Sequence, residues 1–94
     1  PNVAVKTEVI EGNSIFINCP ASGIPLPKIT WFRQEVPIKS NTSKLILHDS
    51  GWTLEIKDSN ITDAARYYCR AENVAGQAEK AFDLDVLTRP NINK

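Results

Sequence analysis

A chain of 94 residues, 41% of them hydrophobic, has the size of one small domain, which buries proportionally little surface and gains from a cross-link. Eleven Lys and Arg balance eleven Asp and Glu to a formal net charge of zero. That excludes nucleic acid or an anionic membrane as the main partner, since both demand a basic excess or stripe, and without a run of 18 apolar residues no direct membrane insertion is expected.

Turn signals punctuate the chain: "EGN" at 11–13, "GIPLP" at 23–27, "KSNTS" at 39–43, "DSG" at 49–51, "DSN" at 58–60 and "NVAG" at 73–76. The runs between them are short, rich in Val, Ile, Thr, Phe and Tyr, and alternate as half-buried strands do. In "SIFINC", Ile15, Ile17 and Cys19 share one face and Phe16 takes the other. "KITWF" puts Ile29 and Trp31 inward and Phe32 outward. In "WTLEI", Leu54 and Ile56 point inward, with Thr53 and Glu55 opposite. Trp52 shares their parity and is expected to close one end of the core. "RYYCRA" separates Tyr67, Cys69 and Ala71 from Tyr68, Arg70 and Glu72. "FDLDV" turns Phe82, Leu84 and Val86 in and Asp83 and Asp85 out. Many short strands without a long helical period define an all-β sandwich or barrel.

Both cysteines, Cys19 and Cys69, fall on inward faces, so they form either one disulfide or two buried thiols. A bridge closing that loop adds roughly 4 kcal/mol by the chain-entropy estimate. Two thiols and the lone histidine, His48, are too few for a four-ligand structural zinc site, so no metal and no cofactor is expected.

Cys19, Trp31 and Cys69, together with "DAARYYC" at 63–69, resemble the immunoglobulin superfamily. The stretches "GIPLPKITW" at 23–31 and "CRAENVAG" at 69–76 resemble its I-set in particular. The resemblance runs from about Thr7 to Leu87 and implies a two-sheet antiparallel Greek-key sandwich. It implies a Cys19–Cys69 disulfide with Trp31 packed beside it, Leu54 in the core, and Tyr67 turning its hydroxyl back onto the preceding turn. Asp63 is then expected to pair with a basic residue, Lys44 or the nearer Arg66. Asn73 and Gly76 are expected to supply positive φ in a tight hairpin turn. Ala65 stands where the family carries glycine.

Chemistry finds little to build on. His48 stands apart from any convergent set, and Asp49 and Ser50 beside it belong to a turn. No nucleophile elbow or phosphate-binding glycine loop is present, so an enzyme is not expected. Two tripeptides, Asn41-Thr42-Ser43 and Asn60-Ile61-Thr62, fit the N-glycosylation acceptor pattern, with Asn60 ranked second because it lies close to the tyrosine corner. Phe32, Tyr68 and Arg70 are expected to share an outer sheet face as an apolar, cation-capped patch of the composition that interface centres favour.

The resemblance implies a non-catalytic protein-interaction or adhesion module, one repeat of a tandem-immunoglobulin cell-surface receptor or extracellular-matrix protein. Hemicentin-like arrays and neural adhesion proteins are of this kind. Its partners are then protein ligands, adjacent modules of the parent chain and a homophilic contact. The alternative is an intracellular, sarcomeric module of titin-like scaffolding type, or an accessory module of a larger enzyme such as a receptor kinase or matrix peroxidase. At the chain's end Pro90-Asn91-Ile92 echoes Pro1-Asn2-Val3. Residues 1–89 are accordingly read as the domain and 90–94 as a linker or the start of a further module, disordered when the domain is isolated.

Overall fold

The computed structural model describes residues 4–39, 41–90 and 92. Within them lie eight strands: β1 (Val5–Ile10), β2 (Ile15–Asn18), β3 (Lys28–Arg33), β4 (Val36–Ile38), β5 (Leu45–His48), β6 (Thr53–Ile56), β7 (Ala65–Asn73) and β8 (Gly76–Leu87). Short 3-10 turns at Asp49–Gly51 and Ile61–Asp63 flank β6. The strands form a five-stranded sheet ordered β1-β8-β7-β3-β4 and a three-stranded sheet ordered β2-β6-β5. This is the all-β, two-sheet sandwich that the resemblance implies. Pro1, Asn2, Val3 and Asn91, four of the six residues of the echo, lie outside the described residues, as do most of residues 90–94.

One pairing is not antiparallel. β1 runs parallel to β8, with Val5 opposite Phe82 and Ile10 opposite Leu87. The two strands lie at opposite ends of the chain, so no hairpin forces them antiparallel and no crossover connection joins them. All other strand pairs are antiparallel.

The core lies between the sheets and follows the alternation read from sequence: Ile17, Cys19, Trp31, Leu54, Ile56, Tyr67, Cys69, Phe82 and Leu84 are buried, with Val9 from β1. Cys19 and Cys69 are bonded across the sheets, with their Cα atoms 6.4 Å apart. Trp31 lies directly opposite Cys69 on the neighbouring strand, and its ring is 5.8 Å from that of Phe82. Burying an indole leaves its N–H in need of an acceptor, which the Gly51 carbonyl supplies at 2.7 Å. The turn at 49–51 therefore also completes the core tryptophan.

Two side chains behave differently from the period-2 reading. Thr53 is buried although it belongs to the outward set of β6, because β6 is the central strand of its sheet. Its hydroxyl donates toward Asn18 Oδ1 at 2.9 Å and Asp49 Oδ2 at 3.1 Å. Trp52 is half-buried and is not among the hydrophobic side chains packed on the core cluster.

Candidate interaction face

The outer face of the five-stranded sheet gathers the residues singled out from sequence. Pairing sets Pro37, Phe32, Tyr68 and Ala81 in one row across β4, β3, β7 and β8. The Phe32 and Tyr68 rings stack at 4.7 Å with an interplanar angle of 12°. Arg70, two residues along β7 on the same face, lays its guanidinium over the Phe32 ring at 5.0 Å from the centroid. Phe32, Tyr68 and Arg70 are each half-buried, and all three meet in one stack.

Ion pairs frame this stack on either side. In the row to one side, Arg70 Nε donates to Glu79 Oε2 at 2.8 Å. To the other, Arg66 grips Asp83 with two hydrogen bonds of 2.7 and 3.2 Å. The hydrogen bond from Arg66 holds the Asp83 carboxyl below its usual range, and Asp83 in turn raises Arg66. The result is an aromatic centre with a charged rim of alternating sign.

Behind the face, Asp63 anchors the turn into β7. Its carboxylate lies 2.8 Å from Lys44 Nζ and accepts from the Asn60 amide at 2.8 Å. Of the two basic residues considered, Lys44 is therefore the partner, while Arg66 is committed to Asp83. Tyr67 donates its hydroxyl proton to the Asp63 carbonyl at 2.8 Å, forming the tyrosine corner. Ala65 opens β7 without positive φ, so a side chain costs nothing where the family has glycine.

Sequence reasoning missed two residues here. Arg33 donates to the Thr62 carbonyl and reaches over the Tyr67 ring at 5.9 Å. Ser59 is buried and ties the loop before the corner to Ile10 and Gly12, its hydroxyl donating to the Ile10 carbonyl at 3.2 Å and its own carbonyl accepting from the Gly12 amide at 2.8 Å. Neither carries a local motif; both act through loops distant in sequence.

The hairpin joining β7 and β8 corrects one expectation. Positive φ falls on Gly76 but not on Asn73. Asn73 works by hydrogen bonding instead: its Oδ1 accepts from the Ala75 amide at 2.9 Å, and its Nδ2 donates to the Pro25 carbonyl at 2.8 Å. That second bond fastens the 23–27 loop to the hairpin.

The small sheet carries a different outer surface. Phe16 is 58% exposed and lies 5.7 Å from the His48 ring, while His48 Nε2 is 2.8 Å from Glu55 Oε1. Asp49 bonds to Thr53 rather than to His48 or Ser50, so the three consecutive residues form no relay. A solvent-open groove of about 420 Å³ between β4 and β5 is rimmed by Arg33 and Lys39, and no carboxylate or imidazole lines it. Among the described residues, no three His, Cys, Asp or Glu side chains gather as a metal site.

The fold defines a class: a disulfide-bridged sandwich of a five-stranded and a three-stranded sheet. Residues 2–86 match the immunoglobulin I-set domain, and the chain belongs to that family. It is 43% identical over 84 residues to human hemicentin-1, covering 89% of this chain and 2% of that protein. Human myotilin is 39% identical over 87 residues, covering 89% of this chain and 18% of its own. Among solved structures, the titin M10–obscurin-like 1 Ig complex superimposes with a TM-score of 0.82 at 27% identity, covering 96% of this chain and 93% of that one. The chain thus spans a small fraction of the length of the curated relatives it matches.

Proposed function

We propose that this chain is a non-catalytic protein-interaction module, one repeat of a tandem-immunoglobulin adhesion receptor or matrix protein outside the cell. The observation that carries the reading is the Arg70–Phe32–Tyr68 stack, held between the Arg70–Glu79 and Arg66–Asp83 pairs. Aromatic residues and arginine with satisfied partners form a pre-organised surface that loses little entropy on docking. The partner is a protein, either a second copy of the module or a ligand, and a single contact of this size gains strength through repetition along an array. The extracellular setting is supported by the Cys19–Cys69 bridge, since disulfides persist in oxidising compartments, and by the similarity to hemicentin-1.

Replacing Phe32 and Tyr68 with serine abolishes self-association or ligand capture, read by sedimentation velocity or biolayer interferometry. The melting temperature stays within about 8 °C, because the core behind the face is untouched. Unchanged binding removes the face from consideration.

A second reading, an intracellular scaffolding module, draws support from the likeness to myotilin and to the titin complex. Labelling of natively purified protein with a thiol reagent, after denaturation without reductant so that the buried cysteines are reached, separates the two: two modified cysteines select the intracellular module, none selects the extracellular one. Residues 1–89 are proposed as the module and 90–94 as a linker or the start of a further module; the end of β8 at Leu87 and of the family match at residue 86 supports this. Limited proteolysis that trims the chain beyond Pro90 and leaves the rest intact is the expected result, since the Arg89–Pro90 bond itself resists cleavage.

A further inference from the structure

We infer that Asn41 and Asn60 both carry N-linked glycans, an inference that rests on the extracellular reading. Each begins an Asn-x-Ser/Thr tripeptide, and each is exposed in a loop, Asn41 between β4 and β5 and Asn60 between β6 and β7. The acceptor atom is the carboxamide nitrogen, so the decisive question is which end of each amide the fold already uses. In both, the oxygen is taken. Asn41 Oδ1 accepts from the Leu47 amide at 2.9 Å, and Asn60 Oδ1 accepts from the Thr62 amide at 3.4 Å. A backbone N–H can be met only by the oxygen, which fixes the orientation of each amide and leaves Nδ2 without a protein partner among the described residues. Asn73 is the counter-example: its Nδ2 is spent on the Pro25 carbonyl, and it heads no acceptor tripeptide.

Asn60 ranks second on sequence because of its closeness to the tyrosine corner. The structure removes that concern. The Tyr67 hydroxyl reaches the Asp63 carbonyl, and Asn60 contributes its backbone amide and Oδ1 to a reciprocal cap with Asp63 and Thr62. A sugar on Nδ2 leaves each of these bonds in place.

In the transfer, the donor is a lipid-linked oligosaccharide on a polyisoprenyl diphosphate. The bond from sugar C1 to the diphosphate oxygen breaks, and Nδ2 forms a new bond to C1. The proton lost from Nδ2 balances the charge on the departing diphosphate. Transfer acts on the chain before it folds, so the folded geometry decides whether the product is accommodated. Both attachment points lie on loops, and neither is on a strand of the five-stranded sheet.

The test is intact mass of this chain secreted from a mammalian host, before and after peptide N-glycosidase, for the wild type, S43A and T62A. Two glycans are expected on the wild type and one on each variant. T62A keeps the cap, whose bonds use Asn60 and the Thr62 backbone, so its melting temperature matches that of enzymatically unmodified wild type. N60A loses both the glycan and the side-chain half of the cap, and melts about 4 °C or more lower. A secreted, bridged protein with either asparagine bare overturns the assignment at that asparagine and leaves the extracellular reading standing. Free thiols in natively sourced protein overturn that reading itself.

Discussion

The Tyr67 hydroxyl donates to the Asp63 carbonyl at 2.8 Å, tying the start of β7 to the 3-10 turn that leads into it. Tyr67 is fully buried and Asp63 nearly so, which means that the carbonyl has no access to water as a substitute partner. Y67F is expected to cost about 1.5 kcal/mol, combining the lost hydrogen bond with an orphaned acceptor. Urea unfolding of Y67F with an unchanged m-value is the measurement that checks it.

The same hydroxyl sets an alkaline limit. Burial raises it above the ordinary 10.0, with Arg33 pulling down and Asp63 pushing up. A folded value above the unfolded one means that its stabilising contribution is complete below the unfolded value. The contribution is lost as pH rises through the folded one. In a Y68F background Tyr67 is the single tyrosine, and its phenolate absorbance at 295 nm is expected to appear above pH 10, together with loss of the folded near-ultraviolet signal. Titration at or below pH 10 in a folded protein contradicts this account.

Asp63 and Lys44 respond unequally to substitution. The Asp63 side chain is 6% exposed and that of Lys44 36%, so desolvation falls mainly on the acid. D63A removes the partner of Lys44 and the acceptor for the Asn60 amide together, and about 3 kcal/mol is expected. K44A leaves Arg33 at 3.9 Å and the Asn60 amide to compensate the carboxylate, and about 1 kcal/mol is expected. Chemical denaturation of both variants tests the order; equal losses contradict it.

Legibility followed the range of each interaction. Strands β2, β3, β6, β7 and β8 were readable because their inward residues alternate, and a period of two is a local signal. The meeting of Phe32, Tyr68 and Arg70 was readable because their parity places them outward on strands that the resemblance makes neighbours. β4 has three residues with Pro37 at its centre, and proline gives no strand signal. β1 buries only Val9 and finds its place by parallel pairing with the far end of the chain. Ser59, Arg33 and the buried Thr53 depend on partners supplied by folding, which no local pattern encodes.

Removal of the bridge tests how far the core stands alone. The disulfide closes a loop between residues separated by 50 positions, for which chain entropy gives about 4 kcal/mol. C19A/C69A is expected to lose stability of that order and to remain folded at low temperature, since Trp31, Leu54, Ile56 and Tyr67 still fill the space between the sheets. A thermal melt followed by tryptophan fluorescence reads both outcomes. A variant as stable as the parent would falsify the structural role assigned to the bridge.

The aromatic stack makes a separable contribution, measurable without any partner. Arg70 holds its guanidinium between the Phe32 face and Glu79, so its position is fixed by two neighbours at once. A double-mutant cycle of F32L and R70Q is expected to give a coupling of about 0.5–1 kcal/mol, the size of an exposed cation–π contact. E79Q releases one side of the guanidinium and is expected to reduce that coupling. If the coupling is instead zero in the parent background, Arg70 moves freely over the ring in solution. The face then lacks the pre-organisation on which its proposed role in docking depends.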